Sequence, residues 1–270
     1  MAFVKSGDQQ LEYFACGDDT PTVVLIHGAG SSARIWHTTQ HLLAAAGYPS
    51  VAISLPGAGA SDRAEALDGY QPLAYAKAAR GAIDALGVTR CTLFGHSLGV
   101  SNVLYLVTEF SEGLDIDAMI MLAGGSGDRR DAPGEEEKTA IIRSMMATSP
   151  RSGLARDDWE VLHKGLNPTV QDALWADIKA NPPERATGQR ISGRKDMTPF
   201  LNATDIQTLV MSGDHDSVVP LSATLGMYHK LRPEVAHLHV MHGVDHYPNA
   251  EVPDAMTSAC VHFLDKYTGS

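Results

Sequence analysis

A serine stands between two glycines in Gly95-His96-Ser97-Leu98-Gly99, with an apolar run on each side. The run before it, "RCTLF", has strand character; the run after it, "LGVSNVLYLV", has helical character. G-x-S-x-G at a strand-to-helix junction can hold a nucleophile on a sharp turn. Side chains two residues to either side of the serine would collide there, and Gly95 and Gly99 remove them. The same five residues also fit a tight turn with no chemistry. A hydroxyl is a weak nucleophile near neutral pH. It needs a base to take its proton, and the base needs a carboxylate to fix its tautomer.

On a turn of this kind the partners follow in chain order, first the acid and then the histidine. "VMSGDHDSVVP" offers Asp214 and Asp216. Asp216 lies further out in the loop, before Val218-Val219-Pro220, and is favoured as the acid. Asp214 still adjoins the strand and Gly213, and suits a helix cap or a turn. "VMHGVDHYPNAEVP" offers His242 and His246. His242 ends a strand, a place for burial or for the wrong face. His246 sits in the following loop, where its ring can swing over Ser97, and is favoured as the base. A developing oxyanion needs donors. The backbone N–H of Leu98 is one, and "HGAGSS" (27–32) supplies another, at Ala29, with Gly28 and Gly30 letting the amides turn inward. His237 and His239 share a strand face, but no carboxylate or cysteine stands at a ligand spacing. Neither a metal nor a cofactor is expected.

These residues need a scaffold that brings distant loops to one rim. "TVVLIHG" (22–28), "PSVAISLPG" (49–57), "RCTLFGHS" (90–97) and "DAMIMLAGG" (117–125) read as strands. Between them "SSARIWHTTQHLLAAAG", "PLAYAKAARGAIDALG" (72–87) and "LGVSNVLYLVTEF" read as helices. Strands apolar on both faces and separated by helices make a parallel sheet covered on both sides. Segments near 2–5 and 10–15 read as a hairpin at the sheet edge. The rhythm breaks at about residue 126 and returns with "IQTLVMSGD" (206–214), a helix near 221–231, "AHLHVMHG" (236–243) and a last helix, "VPDAMTSACVHFLDKY". The stretch 126–200 has helical pieces ("TAIIRSMM", "RDDWEVLHKGL", "VQDALWADIKA") and no clear strand. It is too long for a plain connection and reads as a cap inserted into a core of residues 1–125 and 201–270.

Composition bounds the partners. The chain has 270 residues, 44% hydrophobic and 20% charged, enough to bury one sizeable core. Its formal net charge of −11 repels phosphate backbones, so nucleic acid is excluded as a partner. Three isolated cysteines, Cys16, Cys91 and Cys260, argue for reduced thiols in the cytoplasm. No basic start with an apolar run opens the sequence, and no window is long and apolar enough to span a bilayer. A cytoplasmic monomer or homodimer with a small-molecule substrate, away from membranes, is expected.

Taken together, "VVLIHGAG", "LPGAGASD", "LFGHSLG", "MSGDHDSVVP" and "HGVDHYPNAEVP" resemble the α/β-hydrolase superfamily, over about residues 20–125 and 205–265. The resemblance implies a mostly parallel eight-stranded sheet with helices on both faces and a helical cap. It implies Ser97 as nucleophile, Asp216 as acid, His246 as base ahead of the E-x-P at Glu251 to Pro253, and amides at Ala29 and Leu98. Two departures stand out. Many members carry aspartate before L-P-G, where this chain has Ser54; many have a second glycine after the turn, where it has Val100. The first is expected to alter loop anchoring near the pocket, the second to tighten helix packing.

The reaction that follows is hydrolysis of a carboxylic ester or lactone of a small, largely apolar molecule through an acyl-enzyme on Ser97. A serine at the turn argues against relatives with an aspartate there, the haloalkane dehalogenases and epoxide hydrolases. The same triad also serves carbon–carbon bond hydrolysis, perhydrolysis or haloperoxidase-like chemistry, and lyase chemistry, and the fold can serve as a small-ligand receptor. In the cap, Met145, Met146, Trp159 and Trp175 could line a pocket or form the cap's own core. Arg129 and Arg130 could meet an anionic substrate or stand in solvent.

Overall fold

A computed structural model of the protein describes residues 2–126, 166–191 and 195–268. β1 (Ala2–Ser6) and β2 (Gln9–Cys16) form the edge hairpin; β3 (Val23–Ile26), β4 (Ser50–Ile53), β5 (Arg90–His96), β6 (Asp115–Leu122), β7 (Gln207–Gly213) and β8 (Ala236–Met241) follow. They make one sheet in the order β1-β2-β4-β3-β5-β6-β7-β8. β2 runs antiparallel to both of its neighbours, and every pairing from β4 to β8 is parallel.

The order reverses at β3, with β4 on one side and β5 on the other. A crevice opens at such a point, because the loops leaving two neighbouring strands diverge to opposite faces. Ile26 pairs with Gly95, so β3 and β5 end level with each other, and the loops carrying Ala29 and Ser97 start side by side.

Strand residues alternate between two cores. Val24, Ile26, Leu93, Met119, Met121 and Val210 pack on one face with α2 (Pro72–Ala85) and α3 (Leu98–Glu109). Val23, Leu25, Phe94, Ile120, Leu122 and Met211 pack on the other with α1 (His37–Ala45) and the last helix. This is why the strands read as continuous apolar runs: neither face meets water. Trp36 is fully buried with its ring 4.8 Å from Phe94, and its removal would cost about 3–5 kcal/mol.

The helix expected across 31–47 is divided. A 3-10 turn, Ala33–Trp36, capped by the Ser32 hydroxyl, precedes α1. In the inserted region, α4 (Pro168–Ala180), α5 (Pro183–Ile191) and α6 (Thr198–Ala203) are described. α4 contains the "VQDALWADIKA" helix read from the sequence. The helices read at "TAIIRSMM" and "RDDWEVLHKGL" lie outside the described residues, as do Arg129, Arg130, Met145, Met146 and Trp159. Trp175 is partly buried against the core cluster that includes Leu166 and Leu174. α7 (Leu221–Tyr228), the short α8 (Pro248–Glu251) and α9 (Pro253–Tyr267) complete the chain; α8 was not foreseen. Among the described residues no helix is long and apolar enough to cross a membrane.

Candidate active site

Ser97 is the hinge between β5 and α3, with φ 53° and ψ −117°. This is a region that L-residues with a Cβ seldom occupy, and such strain persists where surrounding contacts over-determine it. The Ser97 N–H donates to the Leu122 carbonyl at 2.8 Å. A Cβ at residue 95 would lie 2.5 Å from the Gly99 carbonyl oxygen, and one at residue 99 would lie 2.3 Å from that of Ile26. No flexible side chain could yield there, so the backbone itself demands both glycines. Val100, where a further glycine is usual, is accommodated by Gly124, at which a Cβ would stand 2.6 Å from Val100 Cγ2.

Three distant side chains converge on this turn. His246 Nε2 lies 3.0 Å from Ser97 Oγ. His246 Nδ1 lies 2.9 Å from Asp216 Oδ2 and 3.1 Å from Oδ1. A carboxylate only accepts, so the proton resides on Nδ1 and Nε2 is free to accept from the serine hydroxyl. Asp216 and His246 are both buried, with side-chain exposures of 0% and 2%. Asp216 Oδ1 also accepts from the Val218 and Val219 amides, at 2.9 and 2.8 Å. The two alternatives from the sequence lie elsewhere. Asp214 accepts from His242 Nδ1 and from the Gly243 amide, both at 2.7 Å, and His242 is exposed rather than buried. His237 pairs with Gln207 and stacks on Tyr267 at 4.3 Å. Among the described residues no group of three or more candidate ligands could hold a metal.

The start of α3 and the turn after β3, where the oxyanion donors are expected from the sequence, adjoin these side chains. Leu98 is the first residue of α3, so its N–H has no acceptor within the helix, and it lies at the positive end of the helix dipole. Ala29 sits half-buried in the turn after β3. A Cβ at the adjoining Gly28 would stand 2.9 Å from Ser97 Cβ, so this turn lies against Ser97.

Sequence reasoning missed the residues that hold the array in place. His27 is buried; its Nε2 accepts from the Leu55 amide at 3.0 Å, which leaves Nδ1 as the donor to the Gly28 carbonyl at 2.8 Å. Burial above all, with the nearby Arg185 charge, lowers its pKa to about 3 and keeps it neutral. The peptide joining Gly28 to Ala29 is planar and trans, so fixing its carbonyl fixes the Ala29 N–H in the opposite direction. His96 Nε2–H donates to the His246 carbonyl at 2.8 Å, and burial lowers its pKa likewise to about 3. Glu251 accepts from the amides on either side of His246, Asp245 at 2.8 Å and Tyr247 at 2.9 Å. Burial raises the Glu251 pKa. Asp245 accepts from the Ser217 amide at 2.7 Å, tying the acid loop to the base loop. Histidine at 27 and 96 was visible inside both motifs, but its partners stand far off in the chain.

Ser54 takes part in anchoring this loop. Its hydroxyl donates to Glu12 Oε2 at 2.8 Å and accepts from the Ala33 amide at 3.1 Å. Glu12 is fully buried, pairs with Arg34 and accepts from the Ala60 amide at 3.2 Å.

With these distances established, comparison with known proteins is informative. The sequence profile of the alpha/beta hydrolase family matches residues 23–259. The chain belongs to the alpha/beta hydrolase family. It is an enzyme of the hydrolase class, like the relatives it resembles. It is 28% identical to a 2-hydroxy-6-oxo-6-phenylhexa-2,4-dienoate hydrolase of Comamonas testosteroni, over 90% of this chain and 87% of the relative. It is 33% identical to a 2-hydroxy-6-oxononadienedioate/2-hydroxy-6-oxononatrienedioate hydrolase of Dechloromonas aromatica, over 97% and 93%. Among solved structures, an enol-lactonase from Burkholderia xenovorans superposes with a TM-score of 0.79 at 17% identity, over 98% of this chain and 100% of that one. An esterase from Exiguobacterium antarcticum gives 0.81 at 18%, over 98% and 99%. The two structural likenesses speak to fold alone.

Proposed function

We propose that this hydrolase cleaves a carboxylic ester or lactone of a small molecule through an acyl-enzyme on Ser97. The chain Ser97 Oγ to His246 Nε2 at 3.0 Å, and His246 Nδ1 to Asp216 at 2.9 Å, carries this reading. In the first half, His246 takes the hydroxyl proton as Ser97 attacks the carbonyl carbon. The oxygen becomes anionic, and the Leu98 and Ala29 amides receive it. His246 then gives its proton to the departing alkoxide. In the second half, His246 takes a proton from water as the resulting hydroxide attacks the acyl carbon, and then returns that proton to Ser97 Oγ as the serine leaves and the acid forms. Asp216 holds the imidazole in the required tautomer and stabilises its charged form. Each oxyanion donor is worth about 3 kcal/mol in the transition state.

The curated relatives favour a second reading. Those described above are named for dienoate substrates bearing a 6-oxo group. On such a substrate the same serine or an activated water would attack a ketone, and the leaving group would be a carbon made tolerable as an enolate. The test is a panel of p-nitrophenyl esters, lactones and a 2-hydroxy-6-oxo-dienoate, assayed with wild type and Ser97→Ala. Ester or lactone turnover that Ser97→Ala lowers at least about 10³-fold supports the first reading. Turnover confined to the dienoate supports the second, and turnover of none of them removes both.

A further inference from the structure

Three consecutive residues of the loop after β3 are held by side chains of the inserted region. Asn181 Nδ2 donates to the Gly30 carbonyl at 2.9 Å. Arg185 Nη1 and Nη2 both donate to the Ser31 carbonyl at 3.3 Å. The Ser32 hydroxyl donates to Asp177, which also faces Arg34 Nη1 at 3.4 Å. Arg185 further donates through Nη1 to Asn181 Oδ1 and through Nε to the Tyr75 hydroxyl at 3.1 Å. It is 2% exposed, and among the described residues no carboxylate forms an ion pair with it.

A buried guanidinium that makes no direct ion pair among the described residues is costly even with the Asp177 charge nearby, and an apolar side chain would fill the same space more cheaply. What the guanidinium supplies is a fork of donors aimed at fixed acceptors. One of these acceptors, the Ser31 carbonyl, belongs to the oxyanion loop, and another, Asn181 Oδ1, belongs to the side chain that holds the Gly30 carbonyl. Upstream of Ala29, the Gly28 carbonyl is fixed by His27 of the core. Downstream, the Gly30 and Ser31 carbonyls are fixed by Asn181, at the end of α4, and by Arg185 of α5. Ala29 lies between the two clamps, and neither clamp alone determines the turn.

We infer that Arg185, acting with Asn181, is a positioning residue of the reaction: it holds the Gly30–Ser31 segment so that the Ala29 N–H points at the oxyanion. It touches neither the nucleophile nor the base. This inference rests on the acyl-transfer reading of Ser97, and it assigns part of the transition-state stabilisation to the inserted region.

A small alkyl fluorophosphonate tests it without knowledge of the natural substrate, because its phosphoryl oxygen occupies the oxyanion position as Ser97 attacks phosphorus and fluoride departs. The rate of phosphonylation is followed by intact mass, beside p-nitrophenyl acetate kinetics and thermal melting. Arg185→Met is expected to slow labelling 10-fold or more and to lower kcat with KM changed less than about 3-fold. Arg185→Lys is expected to recover part of the rate, and Asn181→Ala to lose roughly 3- to 10-fold. Should Arg185→Met fail to fold, the other two variants decide. Variants that melt lower but label and turn over within about 2-fold of wild type would mean that Arg185 only packs the inserted region, and would overturn the inference. If wild type is not labelled, or Ser97→Ala is labelled equally, the serine reading itself falls and this inference falls with it.

Discussion

The two sides of the site are built by different means. On the base side, every anchor comes from the core. Val218 and Val219 hold Asp216, Glu251 brackets His246, and His96 holds the His246 carbonyl. Most of these partners lie within a few residues of what they hold. On the oxyanion side, one anchor is His27 of the core, and the rest arrive from α4, α5 and Asn181 between them, roughly 150 positions along the chain. On the proposed reading, the acid and base loops are braced mostly by near neighbours in the chain, and the oxyanion loop mostly by distant ones.

Substitutions can break or sharpen this contrast. The largest effect is expected on the base side. Asp216→Asn leaves the imidazole in the wrong tautomer and is expected to lower kcat about 10⁴-fold with little change in fold, measurable by turnover beside circular dichroism. An effect below about 10-fold would mean that another group orients His246. On the oxyanion side, His27→Phe removes the donor to the Gly28 carbonyl. A fall in kcat of about 10²-fold with KM nearly constant is expected, the signature of a lost transition-state donor. An equal rise in KM would place His27 in substrate binding instead. Asp177→Asn weakens only the Ser32 and Arg34 contacts, and is expected to cost less than about 10-fold in kcat/KM. A cost as large as that of His27→Phe would show the loop to depend on the inserted region more heavily than on the core.

The smallest effect is one of stability. His96 has its pKa lowered to about 3 from 6.5, so between those pH values the folded chain binds fewer protons than the unfolded one. Stability therefore rises with pH across that window and is lost as pH falls through it. Each such imidazole contributes a slope of up to about 1.4 kcal/mol per pH unit. Urea melts from pH 7 to pH 5 are expected to show a shallower slope in His96→Phe; an unchanged slope would mean that His96 is charged in the folded state.

Much of this was legible in the sequence, and the reason is locality. β3 to β7 declare themselves by short apolar runs, since each is buried on both faces for most of its length, and the edge strand β8 by its place after the acid loop. The Ser97 turn declares itself because backbone collisions at residues 95 and 99 leave glycine as the one solution. Asp216 and His246 could be preferred over Asp214 and His242 because distance from the strand end is itself readable. The supporting groups could not be read this way. His27, His96, Asn181 and Arg185 each act on a carbonyl, and every residue offers one. Nothing about Gly30 or Ser31 marks it as a partner of a residue some 150 positions later. The short α8 was missed because Pro248 and Pro253 bracket too few residues to show a period.

Glu12 gives the edge hairpin a reach that its place in the sheet does not suggest. A carboxylate rooted in β2 steadies the peptide that leads into the 3-10 turn, by way of Ser54 and the Ala33 amide. Removing or displacing the first two strands would leave the central ribbon intact, yet would unmoor the far flank of the reaction centre. Fusion partners joined at the amino end should therefore be judged by turnover as well as by yield.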